Sequence, residues 1–159
     1  MKWLESRVLW GIVLILVGII FLVENLGLVQ LSELFWGTLF GVSGAFFIVF
    51  FIQNRTNWWA LIPGLTLISV GLLVLLNWIA PALGEVWGGS IVLAGIGISF
   101  LTVYLFDFRN WWALIPGGIL LTLALAAGLD GINPGFRTAG VFFLGTGMTF
   151  AMVALLPTP

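Results

Sequence analysis

"NWWALIPG" stands at Asn57–Gly64 and returns unchanged at Asn110–Gly117, 53 positions later. An octapeptide repeated at a fixed spacing marks a duplicated structural unit. The period reaches beyond the motif. Gly11, Gly64 and Gly117 fall on it, as do Gly18, Gly71 and Ala124. Asn77 aligns with Asp130, and Pro81 with Pro134. "ELFWG" from Glu33 also resembles "EVWGG" from Glu85. Each copy of the octapeptide follows soon after a basic residue, Arg55 or Arg109, and opens a long apolar run. That is the pattern of a chain re-entering a membrane.

Composition sets the class. Hydrophobic residues make up 62% of the chain and charged residues 7%, where a soluble domain has about 45–50% and roughly 25%. Mean hydropathy is +1.24. The charges divide the chain into six apolar runs: Arg7 to Glu24, Glu33 to Arg55, Asn57 to Ala80, Glu85 to Asp107, Arg109 to Asp130, and the stretch after Arg137. A membrane helix needs about 20 residues. The first run, "VLWGIVLILVGIIFLV", has 16 and is spanned by snorkelling of Arg7 and Glu24 or by local bilayer thinning. No run alternates polar with apolar, as a barrel strand would. Helices satisfy their own backbone groups, which lipid demands. The expected fold is an all-α membrane protein, one integral domain over residues 1–159. Its six transmembrane helices form three tandem helical hairpins at about 7–53, 57–106 and 110–156, all in one orientation because each holds two spans.

Topology follows from the cations. Lys2, Arg7, Arg55 and Arg109 fall on the side of the N-terminus, and Arg137 alone falls on the other. The positive-inside rule puts the first side in the cytoplasm, and six spans return the C-terminus there. The tryptophans agree. Trp3, Trp10, Trp58, Trp59, Trp111 and Trp112 lie near the cytoplasmic span ends, and Trp36, Trp78 and Trp87 near the outer ends, as an aromatic belt requires. The run after Lys2 and Arg7 is followed by "VENLGLVQ" with no small-x-small site, so it reads as an uncleaved span.

Within the octapeptide, Asn57 and Asn110 are placed to cap a helix. Pro63 and Pro116 either sit in a first helical turn or, if the helix begins at the Trp pair, kink it. Gly64 and Gly71, like Gly11 and Gly18, are seven apart, nearly two helical turns, and so share a face that a neighbouring helix can approach. The even-numbered spans carry tighter small-residue spacings: Gly37 with Gly41, Ser90 with Ala94, Gly95 with Ser99, and Gly147 with Ala151. Such faces serve either packing inside one chain or association with itself and other membrane proteins.

"LWGIVLILVGIIFLVENLGLV" followed by "LFWGTLFGVSGAFFIVFFI" resembles the two-helix unit of LiaI–LiaF-like transmembrane regions. The resemblance lies in a Gly-spaced first helix ending in an acidic-Asn-Leu-Gly turn, here Glu24-Asn25-Leu26-Gly27, and a second helix entered by a Trp, here Trp36. "NWWALIPGLTLISVGLLVLL" is similar to the Trp-Trp-Pro spans of that family, with Pro63 further from the Trp pair. The resemblance implies a protein of the bacterial inner membrane, with relatives that act beside two-component systems in sensing cell-envelope stress. Those regulators carry a soluble domain after the membrane part. Here the sequence closes at Pro159, just past the last span. No catalytic residue is implied.

The chemistry expected is correspondingly thin. The chain has no Cys and no His, which removes disulfides, thiolate chemistry and the usual neutral-pH base and metal ligand. A net charge of −1 with no basic run gives no nucleic-acid footprint. No ionisable residue lies in mid-span, where one would flag a proton or ion path. The hydroxyls at depth are those of Thr38, Ser43, Thr66, Ser69, Ser90, Ser99, Thr102, Thr122, Thr146 and Thr149, and these can bond their own helix. Glu24, Glu33, Glu85 and Asp130 gather on the outer side. They could hold a divalent cation, but loop charges and helix caps explain them more simply. Asp130 and Arg137 could pair across "DGINPGFR". The expectation is a non-catalytic, cofactor-free membrane protein that binds partners in the bilayer, with a small transporter or channel as the alternative.

Overall fold

The computed structural model describes residues 2–27, 32–133, 135 and 137–155. Every element among them is helical. The helices are α1 (Lys2–Asn25), α2 (Glu33–Gln53), α3 (Leu61–Ile79), α4 (Pro81–Phe106), α5 (Leu114–Ile132) and α6 (Thr138–Leu155). Short 3-10 turns at Trp58–Ala60 and Trp111–Ala113 lead into α3 and α5. Two compact units divide between Ser32 and Glu33.

The first unit is α1. It runs from Lys2, five residues before Arg7, to Asn25, one residue past Glu24, and the chain then turns at Gly27 with φ 69°. The Gly27 N–H donates to the Glu24 carbonyl. That left-handed position suits glycine because it has no Cβ to clash.

The second unit holds five helices. With the 3-10 turns leading α3 and α5 included, all five are long and apolar enough to cross a membrane. α2 packs on α3, α3 on α4, α4 on α5 and α5 on α6. The α2–α3 contact crosses the boundary expected between the first two hairpins, so inside this unit the helices form one continuous antiparallel series.

Glycine makes the crossings. A Cβ built on Gly44 would lie 2.6 Å from the Gly64 carbonyl oxygen and 2.7 Å from an Ile68 side-chain carbon. On Gly97 it would lie 3.1 Å from the Gly117 oxygen and 3.0 Å from Leu121. Gly44 and Gly97, Gly64 and Gly117, and Ile68 and Leu121 are pairs 53 apart, so the two interfaces repeat residue for residue. Reciprocally, Gly64 receives Ile48 and Gly117 receives Leu101. In lipid the tails are as apolar as the side chains, so close van der Waals fit holds helices together, and small residues supply it.

The octapeptide resolves in favour of the first-turn reading. Pro63 and Pro116 are the third residues of α3 and α5. Their missing N–H falls where a helix leaves donors unpaired anyway. The Trp-Trp-Ala segment before each closes as a separate 3-10 turn, with the Ala60 N–H donating to Asn57 O at 3.0 Å and Ala113 to Asn110 O at 3.0 Å. The expected asparagine caps do not form. Asn57 and Asn110 precede the turns, but neither side chain makes a capping hydrogen bond. The backbone carbonyls of these residues close the turns instead.

Candidate interaction surfaces

Two loops of the second unit, after α2 and after α4, are built from one plan. After α2, the Thr56 N–H donates to Asn54 Oδ1 at 3.1 Å and the Asn57 N–H to Asn54 O at 3.0 Å. After α4, the Arg109 N–H donates to Asp107 Oδ1 at 3.1 Å and the Asn110 N–H to Asp107 O at 2.9 Å. A short Asn or Asp side chain bonding the backbone two residues on makes a tight reversal. Asn54 and Asp107 are one period apart.

These loops gather the ends of five elements, α2, α3, α4 and both 3-10 turns. Phe51, Ala60, Leu61, Val103 and Ala113 form a buried cluster there. Phe51 meets Phe106 edge-on at 4.9 Å, and Trp58 meets Trp112 edge-on at 5.9 Å. The Arg55 guanidinium lies 4.8 Å from the Phe51 ring centre and 5.2 Å from that of Phe106, a cation–π pairing suited to a headgroup-level site. Arg109 grips Asp107 through Nε and Nη2 at 2.9–3.1 Å. This grip holds the Asp107 carboxyl below the ordinary carboxylate range and raises the Arg109 guanidinium. An open recess of about 640 Å³ lies between these residues. Sequence reasoning assigned the loop cations to topology alone. The aromatic neighbours of Arg55 come from two helices, and nothing in the local sequence announces that.

Among the described residues, six hydroxyls within the helices bond their own backbone. Thr38, Ser69, Ser99, Thr102, Thr122 and Thr149 each donate to a carbonyl three or four residues back in their own helix. Ser90 Oγ and Thr146 Oγ1 are buried without a partner. A groove of about 330 Å³ between α4, α5 and α6 is almost wholly apolar, lined by Leu101, Tyr104, Leu121 and Met152 among others.

Glu33, Glu85 and Asp130 are exposed and Glu24 is half-buried. No group of three potential metal-ligating side chains occurs among the described residues. Glu33 opens α2, where a negative charge favours the helix N-terminus. The Arg109–Asp107 ion pair is formed, and none is recorded between Asp130 and Arg137, whose loop includes positions 134 and 136, outside the described residues.

The small-residue faces separate into used and open. Gly37 sits against Leu75 and Gly71, and the Gly41 backbone lies against Gly71. Ser90 faces Gly128, and Gly95 takes the Ser69 side chain. Ser99 is fully buried and Ala94 is half-buried. Gly37, Gly95 and Ser90 thus meet neighbours in the same chain, while at Gly41 only the backbone does, a Cβ there meeting nothing within 4 Å. Gly147 and Ala151 are different. Both are exposed, and a Cβ on Gly147 would meet nothing within 4 Å. α6 as a whole has no buried residue. Compared with family models, with curated proteins and with solved structures, the chain finds no match in any of the three.

Proposed function

We propose that this chain is a non-catalytic, six-span protein of the bacterial cytoplasmic membrane that works by docking to other proteins within the bilayer. In this reading the three hairpins lie in tandem, both termini face the cytoplasm, and the role is that of an accessory subunit in envelope-stress sensing, as the LiaI–LiaF-like resemblance implies. The observation that carries it is how the polar groups at depth are used. Six hydroxyls are tied to their own helix backbones, and the groove beside them is apolar. A transport path needs polar or ionisable groups facing a cavity, and acid–base chemistry needs a positioned titratable group. Packing surface is what these spans supply instead.

The test is purification from the native membrane in mild detergent, with mass spectrometry of co-eluting proteins. A partner at fixed stoichiometry, another protein or a further copy of the chain, supports the reading. A lone monomer in every detergent tried, with ion or solute flux in liposomes, overturns it.

A further inference from the structure

The internal repeat says what α6 is shaped to meet. "GAFF" from Gly44 in α2, "GISF" from Gly97 in α4 and "GMTF" from Gly147 in α6 align, the first step being 53 residues and the second 50. The packing agrees with this alignment. Ser69 of α3 presses on Gly95, and Thr122 of α5, one period on, presses on Gly145, which lies 50 residues after Gly95.

In α2 and α4 the face bearing the aligned glycine receives the next odd-numbered helix. Gly37 and Ser90 lie at one level of that face, Gly44 and Gly97 at the next, and Ile48 and Leu101 at the third. The corresponding positions in α6 are Gly140, Gly147 and Ala151, all exposed, with Leu144 between them at 76% exposure. A Cβ on Gly140 or Gly147 would meet nothing within 4 Å. α6 therefore carries, at Gly140 and Gly147, the small residues that the two internal interfaces use, and among the described helices none fills them.

The odd-numbered helix whose matching small-residue face is open is α1, where a Cβ on Gly11 or Gly18 would meet nothing within 4 Å. α1 stands one period before α3, so Gly11, Ile15, Gly18 and Leu22 occupy the positions of Gly64, Ile68, Gly71 and Leu75. Those α3 residues are the ones that meet α2. Transferring the register sets Gly11 against Ala151, Ile15 against Gly147, Gly18 against Leu144 and Leu22 against Gly140. Each level matches a small residue with a larger one or with another small one. Lipid tails cover an apolar face without needing notches. This face has the notches that two formed interfaces share.

We propose that α6 docks onto α1 of a second copy of this chain, continuing the α2–α3 and α4–α5 interfaces from one molecule to the next. The contact is heterologous, head to tail, and builds rings or rows of copies. It rests on the partner-docking reading above and names the partner.

The chain has no cysteine, so single cysteines report cleanly. Two differently tagged full-length chains, one Leu22→Cys and the other Gly140→Cys, are co-expressed and oxidised in the membrane. A disulfide dimer joining both tags, absent when either variant is expressed alone, is the expected result. Adding Gly147→Leu to the second chain should cut that dimer at least tenfold. It should leave the melting temperature of the monomer unchanged, because a Cβ at Gly147 meets nothing within 4 Å in its own chain. Four outcomes overturn the proposal: no mixed dimer, dimers in either variant alone, linkage only within a chain carrying both cysteines, or a mixed dimer indifferent to Gly147→Leu. If the mixed dimer is absent while a foreign protein co-purifies at fixed stoichiometry, the self-docking fails and the docking function stands.

Discussion

At the residue scale, one hydrogen atom decides most of the packing. A Cβ on Gly44 would lie 2.8 Å from the Ile68 backbone nitrogen as well as against the Gly64 oxygen, so neither neighbour is a flexible tip that can swing aside. Gly44→Leu should cost about 1–3 kcal/mol or more through overpacking, read as a lowered melting temperature in detergent, while Gly147→Leu should not. Ser90 gives the opposite sign. Its buried hydroxyl has no partner, and removing an unsatisfied polar group is neutral or favourable. Ser90→Ala should therefore leave thermal stability unchanged or raised by about 1 kcal/mol, and a clear loss would mean the hydroxyl is bonded. Asp107 carries the pH dependence. Because the Arg109 hydrogen bonds lower its folded value, its contribution is complete above the ordinary carboxylate range and is lost as the pH falls through the lowered value. A carboxyl-carbon NMR titration should place its midpoint below that of a free aspartate, and Arg109→Gln should move it upward.

At the scale of elements, the helices were legible because charges are so rare here that they punctuate the chain. The run from Arg109 to Asp130 contains all but the end of α5, and Gly64 and Gly71 do share the face that meets α2. What a period cannot carry is the identity of the neighbour. Spacing fixes which residues of a helix point the same way, but not which helix lies opposite. So the GxxxG of Gly37 and Gly41 reads as a small-residue face without naming its neighbour, which at Gly37 is Leu75 and the Gly71 carbonyl of α3. The Trp-Trp-Ala turns were hidden for a related reason. The missing N–H of Pro63 prevents its bond to the Trp59 carbonyl, and the chain tightens there into 3-10 geometry. Pro63→Ala restores a donor, and α3 should lengthen by about one turn. The new residue-63 amide should then exchange slowly, bonded to the Trp59 carbonyl, and a fast-exchanging amide there would assign the tight turn to the Trp packing instead.

At the scale of the molecule, the aromatic cluster at the loop ends ties α2, α4 and both 3-10 turns together. The positive-inside argument predicts that Arg55→Cys and Arg109→Cys are labelled from one side of a sealed vesicle and Asp130→Cys from the other. Labelling of all three from one side would refute the span count. The paired Asx turns have a further consequence. Asn54 and Asp107 end their helices in the same way, and both lead into the same octapeptide. The seam before α3 and the seam before α5 are thus equivalent joints. Excising residues 55–107, one whole period of 53, would join α2 to α5 through a turn of the same kind and offer α5 a face already cut for α3. The number of helices is then a matter of how many units are strung together, and such an architecture can gain or lose a helix pair in one genetic step while keeping its glycine crossings.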